Sequence, residues 1–143
     1  MNYPKLVKVA GSLVVTLLFA WGLAACSPNT PTVAEADYPS AIVGNWQGTV
    51  DGTNETISFG ADGEFVSLVR PGGFISMTLS QGVTGKVSGT WTIKGKSITL
   101  KISGIEHERV SNSVATAAIE TLRPNELIVR SGTGVTSTFV RLL

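Results

Sequence analysis

The sequence predicts one all-β domain in residues 41–143, a small antiparallel up-and-down barrel of about eight short strands. From Ile42 onward, apolar residues recur at every second position, which puts them on one face of a strand and leaves the other face polar. Turn signals rich in glycine, with proline, aspartate or asparagine at several of them, separate these runs at short intervals. No long helical pattern interrupts them. Sequential short strands form a meander, and a meander of eight strands can close into a barrel without exposed edges.

The first strand is predicted at 42–50, where Ile42, Trp46 and Val50 share one face. The segment 114–122 is ambiguous because its alanines permit a helix, but its threonines, its length and its neighbours favour a strand. The other runs with a period of two are 56–59, 74–79, 86–94, 98–103, 127–130 and 135–142. The turn signals between the runs lie at 51–52, 61–63, 71–73, 94–96, 124–125 and 132–134.

Residues 68–83 are apolar and low in charge, and the predicted strand puts Phe74 and Met77 on opposite faces. Exposed apolar surface often marks a ligand or partner site. Phe74 and Met77 are therefore the candidate ligand- or partner-binding residues, at the rim of the barrel mouth beside a mobile tip at 71–73. An ordinary core strand beside a glycine-rich hairpin is the alternative interpretation.

Residues 1–25 have the parts of a cleaved export signal: Lys5 and Lys8, an apolar stretch at 9–23, and two alanines before Cys26. Leu23-Ala24-Ala25-Cys26 resembles the lipobox of bacterial lipoproteins. The resemblance implies a diacylglyceryl group on the Cys26 sulfur, cleavage before Cys26, and acylation of the new amino terminus by a fatty acid such as palmitate. An uncleaved anchor helix with an incidental cysteine is the alternative.

Residues 26–40 contain three prolines and few apolar side chains, which predicts an extended, disordered tether. The lipoprotein resemblance makes the membrane a partner through lipidated Cys26 and places the protein in the cell envelope. Ser27 follows the cysteine, where an aspartate commonly signals inner-membrane retention. By that resemblance we expect the outer membrane, facing the periplasm, in a Gram-negative host.

The folded part contains three short motifs: Gly44-Asn45-Trp46, residues 59–65, and Gly89-Thr90-Trp91-Thr92-Ile93. Together they resemble motifs of lipocalin-like proteins. Gly44-Asn45-Trp46 looks like the G-x-W motif on the first strand of that family, whose tryptophan plugs one barrel end and packs under a basic residue of the last strand. Arg141 is the residue that this resemblance assigns to the partner role. The segment 59–65 resembles the F-x-x-D-G-x-F hairpin, and Gly89-Thr90-Trp91-Thr92-Ile93 resembles the G-x-W-x-I strand. These motifs imply structural roles for Gly44, Trp46, Trp91 and Arg141.

Composition argues against several other function classes. The chain has 11 basic and 10 acidic residues, and without residues 1–25 it remains close to neutral, so no basic surface predicts nucleic-acid binding. Cys26 is the only cysteine, which leaves the domain without a thiol nucleophile or thiolate metal site. The single histidine, His107, lies between two glutamates that point to the other face of a strand. We therefore expect no catalytic residue, no metal and no cofactor.

Two functions remain. The first is a lipid-anchored binding module of the cell envelope, with a small hydrophobic ligand held in the barrel. The second is a structural or accessory lipoprotein whose filled barrel docks onto another envelope protein. The volume of the barrel interior separates them, because a cavity of about 300 Å³ or more makes ligand binding credible.

Overall fold

A computed structural model of the chain shows a closed barrel of eight antiparallel strands. The structure describes residues 30–50, 52–79, 82–106 and 113–143. Each strand pairs with its neighbours in sequence, and the last pairs with the first, which is the up-and-down order of lipocalin-like barrels. The predicted fold class is confirmed. The strands are β1 (Gly44–Val50), β2 (Thr53–Phe59), β3 (Glu64–Val69), β4 (Gly85–Lys94), β5 (Ser97–Ile105), β6 (Ser113–Arg123), β7 (Glu126–Ser131) and β8 (Thr136–Leu142).

The alternating pattern of the sequence becomes the inside and outside of the barrel. On β1, Trp46 and Val50 are buried while Asn45 and Gln47 are exposed. The ambiguous segment at 114–122 belongs to β6, where buried and exposed residues also alternate, so the preference for a strand is confirmed. Every strand has a partner on both sides, so the sheet has no free edge.

One hydrophobic core fills the barrel, and the buried residues that form it lie between Tyr38 and Phe139 in the sequence. The part of the chain from Thr30 to Leu143 therefore contains a complete core and a closed sheet, which is what a domain that folds on its own requires.

The predicted tether ends earlier than Ser40. A 3-10 turn at Glu35–Asp37 leads into a short helix, α1 (Tyr38–Ala41), and both lie against the barrel. The Val33 amide donates to the Leu122 carbonyl (2.8 Å), and the Tyr38 ring is buried in the core. The extended, disordered conformation predicted up to Ser40 is wrong for residues 35–40, because Tyr38 supplies the apolar surface that the composition of the segment otherwise lacks.

The strand predicted at 74–79 is also wrong, because this segment contains a five-residue helix, α2 (Phe74–Thr78). β3 already pairs with β4 as far as Val69 and Gly85, so no strand edge is free to take up another strand here. A helix satisfies its backbone groups internally, as the bond from the Met77 amide to the Gly73 carbonyl shows (2.9 Å). Phe74 and Met77 consequently do not lie on opposite faces of a strand.

Candidate functional site

The barrel interior is mostly apolar and almost filled. The cavity that remains measures about 20 Å³, enough for roughly one water molecule. This volume is far below what a small-molecule site requires, so in this conformation the barrel is closed to ligands. The cavity is lined by Ile57, Phe59, Phe74, Thr78, Ile98, Leu100, Ala115, Thr116, Ala117, Leu127, Val129 and Phe139.

The residual space lies beside the first half of β6, where the inward side chains are small. Ala115 and Ala117 are both buried on this strand, whereas the neighbouring strands β5 and β7 present leucine, isoleucine and valine at the cavity. A methyl group in place of a larger aliphatic chain leaves contacts unmade, and such gaps are where an apolar ligand gains van der Waals contact.

One end of the barrel is sealed by Trp46. Its ring is completely buried, and its indole N–H donates to the Ile42 carbonyl (2.7 Å) just beyond α1. The Arg141 guanidinium lies 4.2 Å from the centre of the ring, in the cation–π arrangement that the motif resemblance implies. Register explains the contact, since Trp46 and Arg141 are directly paired across β1 and β8.

Arg141 also ties several segments together at this end. Its guanidinium donates to the carbonyls of Ala41 (2.5 Å), Val43 (2.7 Å) and Pro124 (2.6 Å). Gly44 permits this packing, because a Cβ there would overlap the guanidinium and its φ of +133° is rarely adopted by other residues. This end is therefore held by charge-assisted hydrogen bonds as well as by packing.

Trp91, from the second tryptophan motif, fixes the hairpin between β2 and β3. Its indole N–H donates to the Gly60 carbonyl (3.1 Å), and its ring meets Phe59 edge to face at 5.7 Å. Trp46 and Trp91 thus have structural positions, and neither lines the cavity.

The helix α2 closes the opposite end. Among the described elements, it is the one other than the strands that lines the cavity. The helix follows a turn at 71–73, in which Gly72 has a φ of +81°. Phe74 points into the barrel, is 3% exposed, and packs edge to face against Phe139 with ring centres 5.9 Å apart. Met77 is half-buried and packs against the core without lining the cavity. Of the two candidate ligand-binding residues, Phe74 therefore fills the mouth of the barrel and Met77 lies beside it.

A buried carboxyl group holds the start of α2. Glu55 on β2 is 1% exposed and accepts hydrogen bonds from the amides of Phe74 (2.5 Å) and Ile75 (3.4 Å). The Ser67 hydroxyl contributes a third bond (3.3 Å). Burial raises the pKa of Glu55 from its ordinary value of 4.5 to about 7, and the three hydrogen bonds oppose this shift without cancelling it.

Glu55 was not among the residues singled out from the sequence, although the pattern contained the signal. It lies two and four residues before Ile57 and Phe59, so the period of two puts all three on the inward face of β2. A lone acidic residue at an inward position predicts a buried carboxyl group. Glu55 instead looks like part of a polar turn because Asn54 and Thr56 flank it.

The predicted export signal at 1–25 and the first residues of the predicted tether, 26–29, lie outside the described residues. Cys26, the candidate lipidation site, and His107, considered as a metal ligand, also lie outside them. Within the described ranges, no three acidic, histidine or cysteine side chains lie close enough to hold a metal ion. In the same part of the chain, no helix has the length and apolar character needed to cross a bilayer.

Comparison with known proteins adds one structural similarity. The chain matches no known protein family and no curated protein. It is similar to the crystal structure of a lipocalin-like protein from Bacteroides uniformis, with 20% sequence identity, a TM-score of 0.48, and coverage of 71% of this chain and 99% of that chain.

Proposed function

We propose that the protein binds a small apolar molecule inside the barrel, in space that becomes available when α2 moves away from the mouth. The observation that carries this proposal is the difference between the two barrel ends. Arg141 and Trp46 seal one end with four hydrogen bonds and a cation–π contact. The other is closed by a helix of five residues, whose Phe74 ring occupies the place that a ligand would take.

The helix is suited to movement because it is short and enters from a turn containing two glycines, Gly72 and Gly73. A single helical turn gains little from its own hydrogen bonds, so its position depends on the packing of Phe74 and Ile75 and on the bonds to Glu55. Among the described residues, α2 forms no bridges with the strands of the sheet, so it can open locally while the barrel stays closed.

The chemistry of the interior selects an uncharged ligand. The cavity lining contains no charged side chain, and its only polar members are Thr78 and Thr116. On β8, the Ser137 hydroxyl is buried, and it makes no hydrogen bond within the described ranges. Ser137 shares the inward face of its strand with Phe139, so an apolar ligand with one hydrogen-bonding group would satisfy this hydroxyl.

Replacement of Phe74 by alanine tests the proposal. Removal of the ring enlarges the cavity at the mouth, and an apolar cavity left by a large side chain can accept an aromatic molecule. We expect Phe74→Ala to bind the neutral dye N-phenyl-1-naphthylamine at least about tenfold more tightly than the wild type, measured by fluorescence titration. Met77→Ala is the matched control, because Met77 belongs to the same helix and does not line the cavity.

Circular dichroism of each variant separates loss of binding from loss of folding. If folded Phe74→Ala and the folded wild type both fail to bind the dye, the ligand-binding proposal is wrong. That result would favour a filled barrel that docks onto another protein.

A second function, docking onto an envelope protein, is supported by an uncharged area on the outer wall. Val66 and Leu68 of β3 and Val140 and Leu142 of β8 are between 40% and 55% exposed. Across β1 and β2 they are joined by two rows of paired residues without a charged side chain: Val140–Gln47–Thr56–Leu68 and Leu142–Asn45–Ser58–Val66. The partner would present an equally uncharged surface. A photo-crosslinker at Thr56 should then capture one reproducible protein in intact cells, whereas a crosslinker at Lys101 on β5 should not.

We also propose that the barrel is attached to a membrane of the cell envelope through lipidated Cys26. The lipobox resemblance of Leu23-Ala24-Ala25-Cys26 supports this, and two or three acyl chains on one residue make membrane attachment stable. Mass spectrometry of the membrane-extracted protein should show a chain that begins at Cys26 with acyl groups on it. An unmodified Cys26 in that material would contradict the proposal, and Cys26→Ser should release the protein from the membrane fraction.

A further inference from the structure

We propose that Glu55 is a proton-controlled latch, whose neutral carboxyl group holds α2 on the barrel mouth and whose charged form releases it. The inference rests on the proposed function, since it names how access to the interior would be regulated. It assigns to a buried acidic residue a role that neither the motifs nor the barrel architecture requires.

The geometry couples Glu55 directly to the helix. One carboxyl oxygen accepts the Phe74 amide and the other lies within hydrogen-bond distance of the Ile75 amide, so the group contacts the first two residues of α2. The preceding turn wraps closely around the carboxyl group, because a Cβ on Gly73 would lie 2.9 Å from Glu55 Oε2. Movement of α2 therefore breaks these bonds and opens the carboxyl group to water.

No charged group compensates Glu55 within the described ranges. β1 and α2 contain no titratable side chain. The titratable or charged residues on the neighbouring β3 and the turn that follows it are Glu64 and Arg70, both exposed. The causes of the pKa shift are burial and the bonds to Phe74, Ile75 and Ser67, with no ion pair among them. Ionisation therefore leaves a desolvated charge under the helix.

The direction of the pH effect follows from the raised pKa. With α2 closed, the pKa of Glu55 is about 7, and with α2 displaced the group returns toward its ordinary value of 4.5. The closed form thus binds the proton more tightly. Its stabilisation by that proton is complete below 4.5 and is lost as the pH rises through 7. Between pH 5 and pH 8 the opening equilibrium should increase on the order of 50-fold.

Amide hydrogen exchange measures this opening without any ligand. The sample is the chain from Thr30 to Leu143, which contains the complete barrel, studied by NMR at pH 5 and pH 8 with rates corrected for intrinsic exchange. We expect the protection of the Phe74 and Ile75 amides to fall on the order of 50-fold, while that of the Leu100 amide on β5 changes far less. Glu55→Gln, which is neutral at both pH values, should show nearly constant protection. Glu64→Gln, an exposed change on β3, should behave like the wild type.

Two results would overturn the latch. The first is equal protection of the Phe74 and Ile75 amides at pH 5 and pH 8 in the wild type. The second is an undiminished pH dependence of these amides in Glu55→Gln while the Leu100 amide stays well protected. A parallel titration with N-phenyl-1-naphthylamine distinguishes the two proposals. If protection falls as expected but the wild type and Phe74→Ala both fail to bind the dye, the latch stands and the ligand-binding function fails.

Discussion

Trp46→Ala should destabilise the barrel by about 4 kcal/mol, measured as the free energy of unfolding in urea by circular dichroism. The indole ring is completely buried and fills one end of the barrel. Its removal leaves a cavity, an unpaired Ile42 carbonyl, and an Arg141 guanidinium without the ring beneath it. These losses arise from one side chain, and the remaining hydrogen bonds of Arg141 hold the neighbouring backbone in place, so the site cannot collapse freely.

Trp46→Phe separates the ring from its N–H group. Phenylalanine keeps most of the apolar volume and a face for Arg141, but it cannot donate to the Ile42 carbonyl. We expect a loss of about 1–2 kcal/mol, which is the cost of one unmade buried hydrogen bond together with a small packing defect. If Trp46→Ala proves no more harmful than Trp46→Phe, the ring does not close the barrel end in the way described.

The strands and their inward faces were predictable because a closed sheet translates the sequence directly into burial. On β1, the alternation that begins at Ile42 determines which side chains point into the core, and Trp46 and Val50 are buried as the pattern predicts. β6 was predictable for the same reason despite its alanines, since a strand flanked by β5 and β7 completes the barrel. Local pattern and closure favour the same conformation in these strands.

α2 could not be predicted from the same pattern. Phe74, Ile75 and Met77 fit a strand period as well as a single helical turn, and periodicity cannot separate the two in so short a segment. The deciding factors are tertiary: β3 and β4 have no free edge, and Glu55 supplies acceptors for the helix amides. Both factors arise from the tertiary structure and are not encoded in the residues of the segment itself.

Only part of the candidate site could therefore be predicted from the sequence. Phe74 was selected for its apolar surroundings and does lie at the barrel mouth, but the ring points inward and fills the space instead of forming a rim. Glu55 was missed because its polar neighbours concealed an inward position. The end of the tether was misplaced because Tyr38 packs onto a core that the composition of its own segment does not reveal.

Gly89 explains why the second tryptophan motif begins with glycine. β4 and β5 shift register between Ser88 and Gly89, and this irregularity brings the β5 backbone across position 89. A Cβ there would overlap the Lys101 carbonyl oxygen and lie 3.0 Å from the Ile102 Cα. Both neighbours are backbone atoms, so no change of rotamer relieves the clash.

Gly89→Ala should consequently destabilise the barrel by about 3 kcal/mol, the upper end of the cost of overpacking, because the two strands must separate to make room. Urea unfolding followed by circular dichroism measures the loss. Gly132→Ala is the matched control, since a Cβ at that position meets no atom within 4 Å, and its effect should stay within about 0.5 kcal/mol. Equal stabilities of the two alanine variants would show that the β4–β5 contact yields easily, and that the shift of register does not require glycine. A large loss confined to Gly89→Ala would instead assign the motif glycine to the close approach of two strands.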